Sequence, residues 1–222
     1  VRSMENAENE AMTIGDVQWS QGNFEAAQRY YETAYEASIQ AVRSLATGSP
    51  SFSDRLQCVV QENNLNVPLS LPQDIEDLKL SFDDNSDAIC DETPASNRIG
   101  RLLADAARAD YGIWLSGSES ESLLNSQRTA ALAILISDNQ RVLGDAYSVF
   151  GISSIEMDQD ESGRRAFGLA YLNGLRQPWL DQRIEFYEIN VEELEENSNL
   201  DFKEYAEIAL KEEYSIDDRP IA

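Results

Sequence analysis

Carboxylates dominate the chemistry open to this chain: 41 aspartates and glutamates stand against 17 lysines and arginines, and there is no histidine. The commonest general base and metal ligand is therefore missing, and the candidates left are acid pairs, hydroxyls, thiols, lysine and arginine. Asp83, Asn85 and Asp87 have the 1-3-5 spacing of a calcium loop, but Ala88 stands where the turn needs glycine and Pro94 where a bidentate Glu should close it. Asp158, Asp160, Ser162 and Gly163 keep the glycine, yet Leu169 replaces that Glu. Both stretches read as solvated acidic loops, so no metal and no cofactor is expected. For the acid pairs Asp83-Asp84 and Glu195-Glu196, nothing puts one carboxyl in an apolar setting and its neighbour in a polar one, as a general acid and base require. There is no glycine-rich phosphate loop or nucleophile elbow. We expect a protein that is not an enzyme; a carboxylate-based enzyme, the least favoured alternative, would show as an apolar pocket holding two carboxylates.

With 222 residues, 42% of them apolar, the chain can bury a sizeable core. A net charge of -24 repels a phosphate backbone, so nucleic acid is not an expected partner, and no apolar run reaches the roughly 20 residues of a bilayer-spanning helix. Lys79, Lys203 and Lys211 are the only lysines. That depletion fits a high-salt or exported protein and fits ordinary drift in an acidic chain equally well. The chain opens on Val1 rather than Met, which also leaves export open. Cys58 and Cys90 could pair as one disulfide or stay as buried thiols.

The elements that position these groups are helical. Met12, Ile14, Val17 and Trp19 precede Gly22-Asn23, and Phe24, Ala27, Tyr30, Tyr31, Ala34 and Ala37 follow at spacings of three and four, which makes an antiparallel helix pair. Residues 49–93 hold Pro50, Pro68 and Pro72 among short apolar pieces and read as an irregular insert with short helices. From Pro94 a helix runs to Gly117, a strongly apolar one covers Leu123 to Ile136, and a third, capped by Ser137-Asp138, reaches Gly151. A fourth carries Ala166, Phe167, Ala170 and Tyr171 and stops near Gly174. Residues 179–196 fit a helical stripe and also two short strand pairs, with length favouring helix; Asp201 to Glu213 makes a final amphipathic helix. With six acidic and five basic residues, 97–155 is close to neutral and should be the most buried stretch.

A repeat runs through these helices. Ile14-Gly15, Val17, Trp19, Gly22, Phe24, Ala27, Tyr31 and Ala34 fill nearly every signature position of a 34-residue unit, and the segment resembles the tetratricopeptide repeat. Leu143-Gly144, Ala146-Tyr147 and Gly151 begin a second copy, with about seven extra residues before Gly163, Phe167 and Ala170 that should enlarge its turn. A degenerate third copy lies on Ala109-Asp110, Ile113-Trp114 and Gly117. The resemblance implies an all-α fold, a short tetratricopeptide-like helical solenoid of antiparallel helix pairs. One continuous domain would comprise a first pair over 1–48, the insert over 49–93, further pairs over 94–176 and acidic capping helices over 177–222.

The resemblance further implies a concave groove, lined by the first helix of each repeat, that holds a peptide or helix of another protein. Its lining would be Met12, Asp16, Trp19 and Ser20 from the first copy, Tyr111 and Trp114 from the degenerate one, and Arg141 and Asp145 from the last. Trp19 and Trp114 would anchor a partner with apolar and basic residues, unless the final helices fold back and fill the groove. Chaperone-binding members of the family hold a terminal carboxylate with lysine and asparagine, where this chain has Met12 and Asp16, so that ligand is not expected. A structural subunit of a larger assembly, with the acidic tail and the insert against neighbouring chains, is the alternative. Neither the partner's identity nor the oligomeric state is legible.

Overall fold

The computed structural model describes residues 2–48, 97–117 and 120–196. Small residues and aromatics alternate along the first two helices, and this decides how they pack. Helix α1 (Arg2–Ser20) ends in a tight turn at Gly22, whose φ of +78° is open to glycine without a steric penalty. The Gly22 N–H donates to Trp19 O and the Asn23 N–H to Gln18 O, which closes the helix as a Schellman motif. Helix α2 (Phe24–Gly48) returns along α1, with Ala27, Tyr31 and Ala34 buried between them.

The fold is all-α, eight helices with no strand among the described residues. Helices α3 (Asn97–Gly117), α4 (Ser120–Ile136), α5 (Gln140–Glu156) and α6 (Asp160–Leu172) follow, each packed on the one before. Beyond these consecutive pairs, α3 touches both α1 and α5. The chain thus zigzags as a solenoid-like stack, with α1, α3 and α5 forming one layer and α2, α4 and α6 the other.

Helix α4 lies between α3 and α5 and is buried on nearly every side, which is why its second half, Ala130 to Ile136, is apolar all round. Leu102, Leu103, Leu132, Ile134, Ile136 and Phe167 are almost wholly enclosed in one core shared by α3, α4 and α6. The near-neutral 97–155 stretch supplies most of it, as its charge balance implies.

Three local readings need correction. The cap of α5 is Asn139, whose side chain accepts from the N–H groups of Arg141 and Val142; Ser137 donates instead to Asn97 Oδ1. Nor does α5 stop at Gly151, and the extra residues of the second repeat do not enlarge its turn: they lengthen α5 to Glu156 and leave only Met157 to Gln159 before α6. Gly151 and Gly163 mark a close helix crossing, where a Cβ built on Gly151 would stand 2.8 Å from the Phe167 ring and one on Gly163 3.0 Å from Gly151 O. Residues 178–196 form two short helices, α7 (Pro178–Phe186) and α8 (Val191–Glu196), because Glu188 takes φ +52° and breaks the stripe. The insert over 49–93, both cysteines and the Asp201 to Glu213 helix lie outside the described residues.

Candidate functional site

A groove of about 650 Å³ runs along the α1–α3–α5 layer, within the span of about 300–1,000 Å³ usual for ligand sites. Each helix contributes one stripe at the same spacing: Met12, Asp16 and Trp19 from α1; Ala104, Arg108 and Tyr111 from α3; Arg141, Asp145 and Ser148 from α5. The middle members alternate in sign, Asp16, Arg108, Asp145. Trp179, from the start of α7, stands on the rim after Leu175 and Gln177.

One aromatic ring sets the spacing of α1 and α3. Tyr31 of α2 is wedged between Gly15 and Gly112: a Cβ on either glycine would lie 2.8 Å or 2.7 Å from the ring. Its hydroxyl donates to Asp16 Oδ1 at 2.9 Å, and burial together with the neighbouring carboxylate pushes its pKa well up. Asp16 Oδ2 accepts from Arg108 at 2.6 Å, so a single carboxylate ties α1 to both α2 and α3. Nearer the helix N-termini, Glu5 accepts from Arg98 at 2.9 Å and Arg101 at 3.2 Å, and these arginines hold its carboxyl below its usual range.

Between these two cross-links sits Glu8, 2% exposed, with Oε2 lacking any hydrogen-bond partner. Burial pushes its pKa up to about 7, and of the surrounding charges that of Asp105 acts on it most. Asp105 lines the groove and stands 3.9 Å from Arg101 Nε. Burial, opposed by Arg101, brings it to about 6. Asp145 is raised by burial too, with Arg141 and Arg108 opposing.

The structure brings Met12, Asp16, Trp19, Tyr111, Arg141 and Asp145 together as groove lining. Ser20 is exposed at the end of α1 and donates to Val17 O, away from the groove. Trp114 departs from the expectation: it is not among the groove-lining residues and packs, with Tyr111 5.5 Å away, on Leu123, Leu124 and Met157. The degenerate repeat lies three residues earlier than Ala109-Asp110 suggests, with Ala107 rather than Asp110 in the position of Gly15 and Gly144. Its weak signature hid the shift. The same shift hid Arg108 and Asp105, while the alternating signs of Asp16, Arg108 and Asp145 were a signal available to find it. Trp179 takes the groove place expected of Trp114. Arg141 makes no ion pair among the described residues.

Three carboxylates, Asp16, Asp105 and Asp145, line the groove, and burial raises the pKa of Asp105 and Asp145 alike. Among the described residues no group of acids is arranged to hold a metal, and no helix is long and apolar enough to cross a membrane. Comparison of the chain with family models, with curated proteins and with solved structures finds no match.

Proposed function

We propose that this protein is a binding module without enzymatic activity, which holds a peptide or a helix of another protein in the α1–α3–α5 groove. The observation that carries the reading is the repeated stripe: three helices present side chains at identical 4-then-3 spacing to one open surface, the pattern by which helical repeat proteins build concave binding faces. The tetratricopeptide resemblance of Ile14 to Ala34 adds to it, since in that family the first helix of each pair lines the groove. Trp19, 41% exposed, and Leu115, 38% exposed, supply apolar contact area, and Trp179 adds a half-buried ring. Tryptophan anchors carry a large share of binding energy at interfaces. The carboxylates beside them select basic residues in the partner.

Selection of a random-peptide display library on the full chain tests the reading. Enriched sequences should pair an apolar residue with Lys or Arg, and should lose at least about tenfold in affinity for Trp19→Ala, which removes an exposed ring from the groove. Enrichment that Trp19→Ala leaves untouched contradicts the assignment.

A further inference from the structure

The groove's charges are unevenly satisfied. Arg98 and Arg101 are engaged by Glu5, and Arg108 by Asp16. Asp145 makes no ion pair among the described residues, and Asp105 has only the longer Arg101 contact. Behind Asp105 lies Glu8, with a buried carboxylate oxygen that nothing hydrogen-bonds. Burying a carboxyl without a donor is costly, and a proton or a cation can relieve it.

Resting on the groove reading above, we propose that the Asp105–Asp145 end of the groove takes a cationic side chain of the partner, held between the two carboxylates that α3 and α5 present there. The geometry suits this. The two acids come from neighbouring helices, α3 and α5, so a planar guanidinium could span them as a fork, and Tyr111 lines the same groove for its methylene stem. Several charges face the pair, and Asp16 of α1 lines the same groove in its ion pair with Arg108. Glu5 and Glu8 face Asp105 from α1, Arg101 and Arg108 share its helix, and Asp145 faces it from α5; Asp145 itself meets Arg141 and Arg108. Because burial raises the pKa of Asp105 and Asp145, each holds a proton over a range where an ordinary aspartate does not. An entering cation favours the ionised forms, so those protons leave, and affinity climbs with pH until the carboxylates are ionised in the free protein as well.

The probe is the capped tripeptide acetyl-Trp-Arg-Leu-amide, compared with its citrulline analogue, which keeps the shape and lacks the charge. Titration calorimetry of the full chain at pH 5 and pH 7.5, in two buffers of different ionisation enthalpy, reads affinity and proton release together. The arginine peptide should bind about tenfold more tightly at pH 7.5 than at pH 5, with protons released near pH 6, and the citrulline peptide about tenfold more weakly at pH 7.5 with no pH dependence. Asp105→Asn and Asp145→Asn should each flatten the pH dependence, which a general effect of net charge would not do. Equal binding of the two peptides at pH 7.5 overturns the cation site and leaves the groove reading standing. Binding by neither peptide at 10 mM overturns the cation site, while the display selection judges the groove separately.

Discussion

Two helix seams that meet on α3 are built from different materials. Where α1 meets α3 the contact is charged: Glu5 with Arg98 and Arg101, Asp16 with Arg108, and buried Glu8 between them. Where α4 meets α3 and α5 the hydrogen bonds are neutral, although Asp110 of α3 lies buried there with its pKa raised by burial and by Glu121 of α4. There Ser126 donates to Ala107 O at 2.8 Å and lies 2.9 Å from Ser153 Oγ, while Gln127 donates to Ser154 at 2.8 Å. A neutral buried network holds its strength at any pH or salt, whereas exposed ion pairs weaken with salt and a buried carboxyl answers to protons. The first helix pair is thus attached by ion pairs that salt and pH can adjust, whereas the hydrogen bonds that hold α4 to α3 and α5 are neutral.

The largest effect should come from the wedge that both parts share. Gly112→Leu drives a side chain into the Tyr31 ring and should cost about 3 kcal/mol or more, read as a lower denaturant midpoint. Ser126→Ala, on the neutral seam, should cost about 2 kcal/mol by the same measurement, and the loss should be the same at pH 5 and 8 and at low and high salt.

The charged seam should behave in the opposite way. Glu8, at about 7, and Asp105, at about 6, have folded pKa values above their unfolded ones near 4.5 and 3.8. The stability that their protons confer is complete below about pH 4 and is lost as pH rises through 6 to 7. Glu5 opposes this only in acid, because its lowered pKa means loss as pH falls below its usual range. Thermal midpoints should therefore fall between pH 5 and 8. Glu8→Gln, which copies the protonated form, should change little at pH 5 and raise stability at pH 8 by about 1 kcal/mol. The smallest effect is that of Arg98→Ala: about 0.5 kcal/mol at low salt, vanishing near molar salt, since Arg98 is half exposed. A midpoint flat from pH 5 to 8 would erase the contrast between the seams.

The first helix pair was fully legible because Gly15, Gly22, Ala27, Tyr31 and Ala34 each report a close contact or a turn that few other residues could make. Met12, Asp16 and Trp19 of that pair line the groove and Ser20 does not. Two of the misreadings share one physical cause. A glycine looks the same in sequence whether it ends a helix, as Gly22 does, or admits a neighbouring one, as Gly151 does for Phe167 and Gly163. Reading Gly151 as a turn shortened α5. In α3 the contact glycine, Gly112, does not occupy the position of Gly15, and Ala107 does, so the repeat slid by three residues and put Trp114 on the wrong face. The break at Glu188 left no mark, since its left-handed backbone is carried without glycine or asparagine.

The chain's three tryptophans offer the most direct test of the groove as the binding surface. Trp19 and Trp179 line it, while Trp114 packs behind α3 on Leu123 and Met157. In protein labelled with 5-fluorotryptophan, each resonance can be assigned by single Trp→Phe substitution and then followed by fluorine NMR while a peptide from the display selection is added. The account predicts that the Trp19 and Trp179 signals move with the binding isotherm and that the Trp114 signal stays in place. Saturable binding that shifts Trp114 alone, or none of the three, would contradict it.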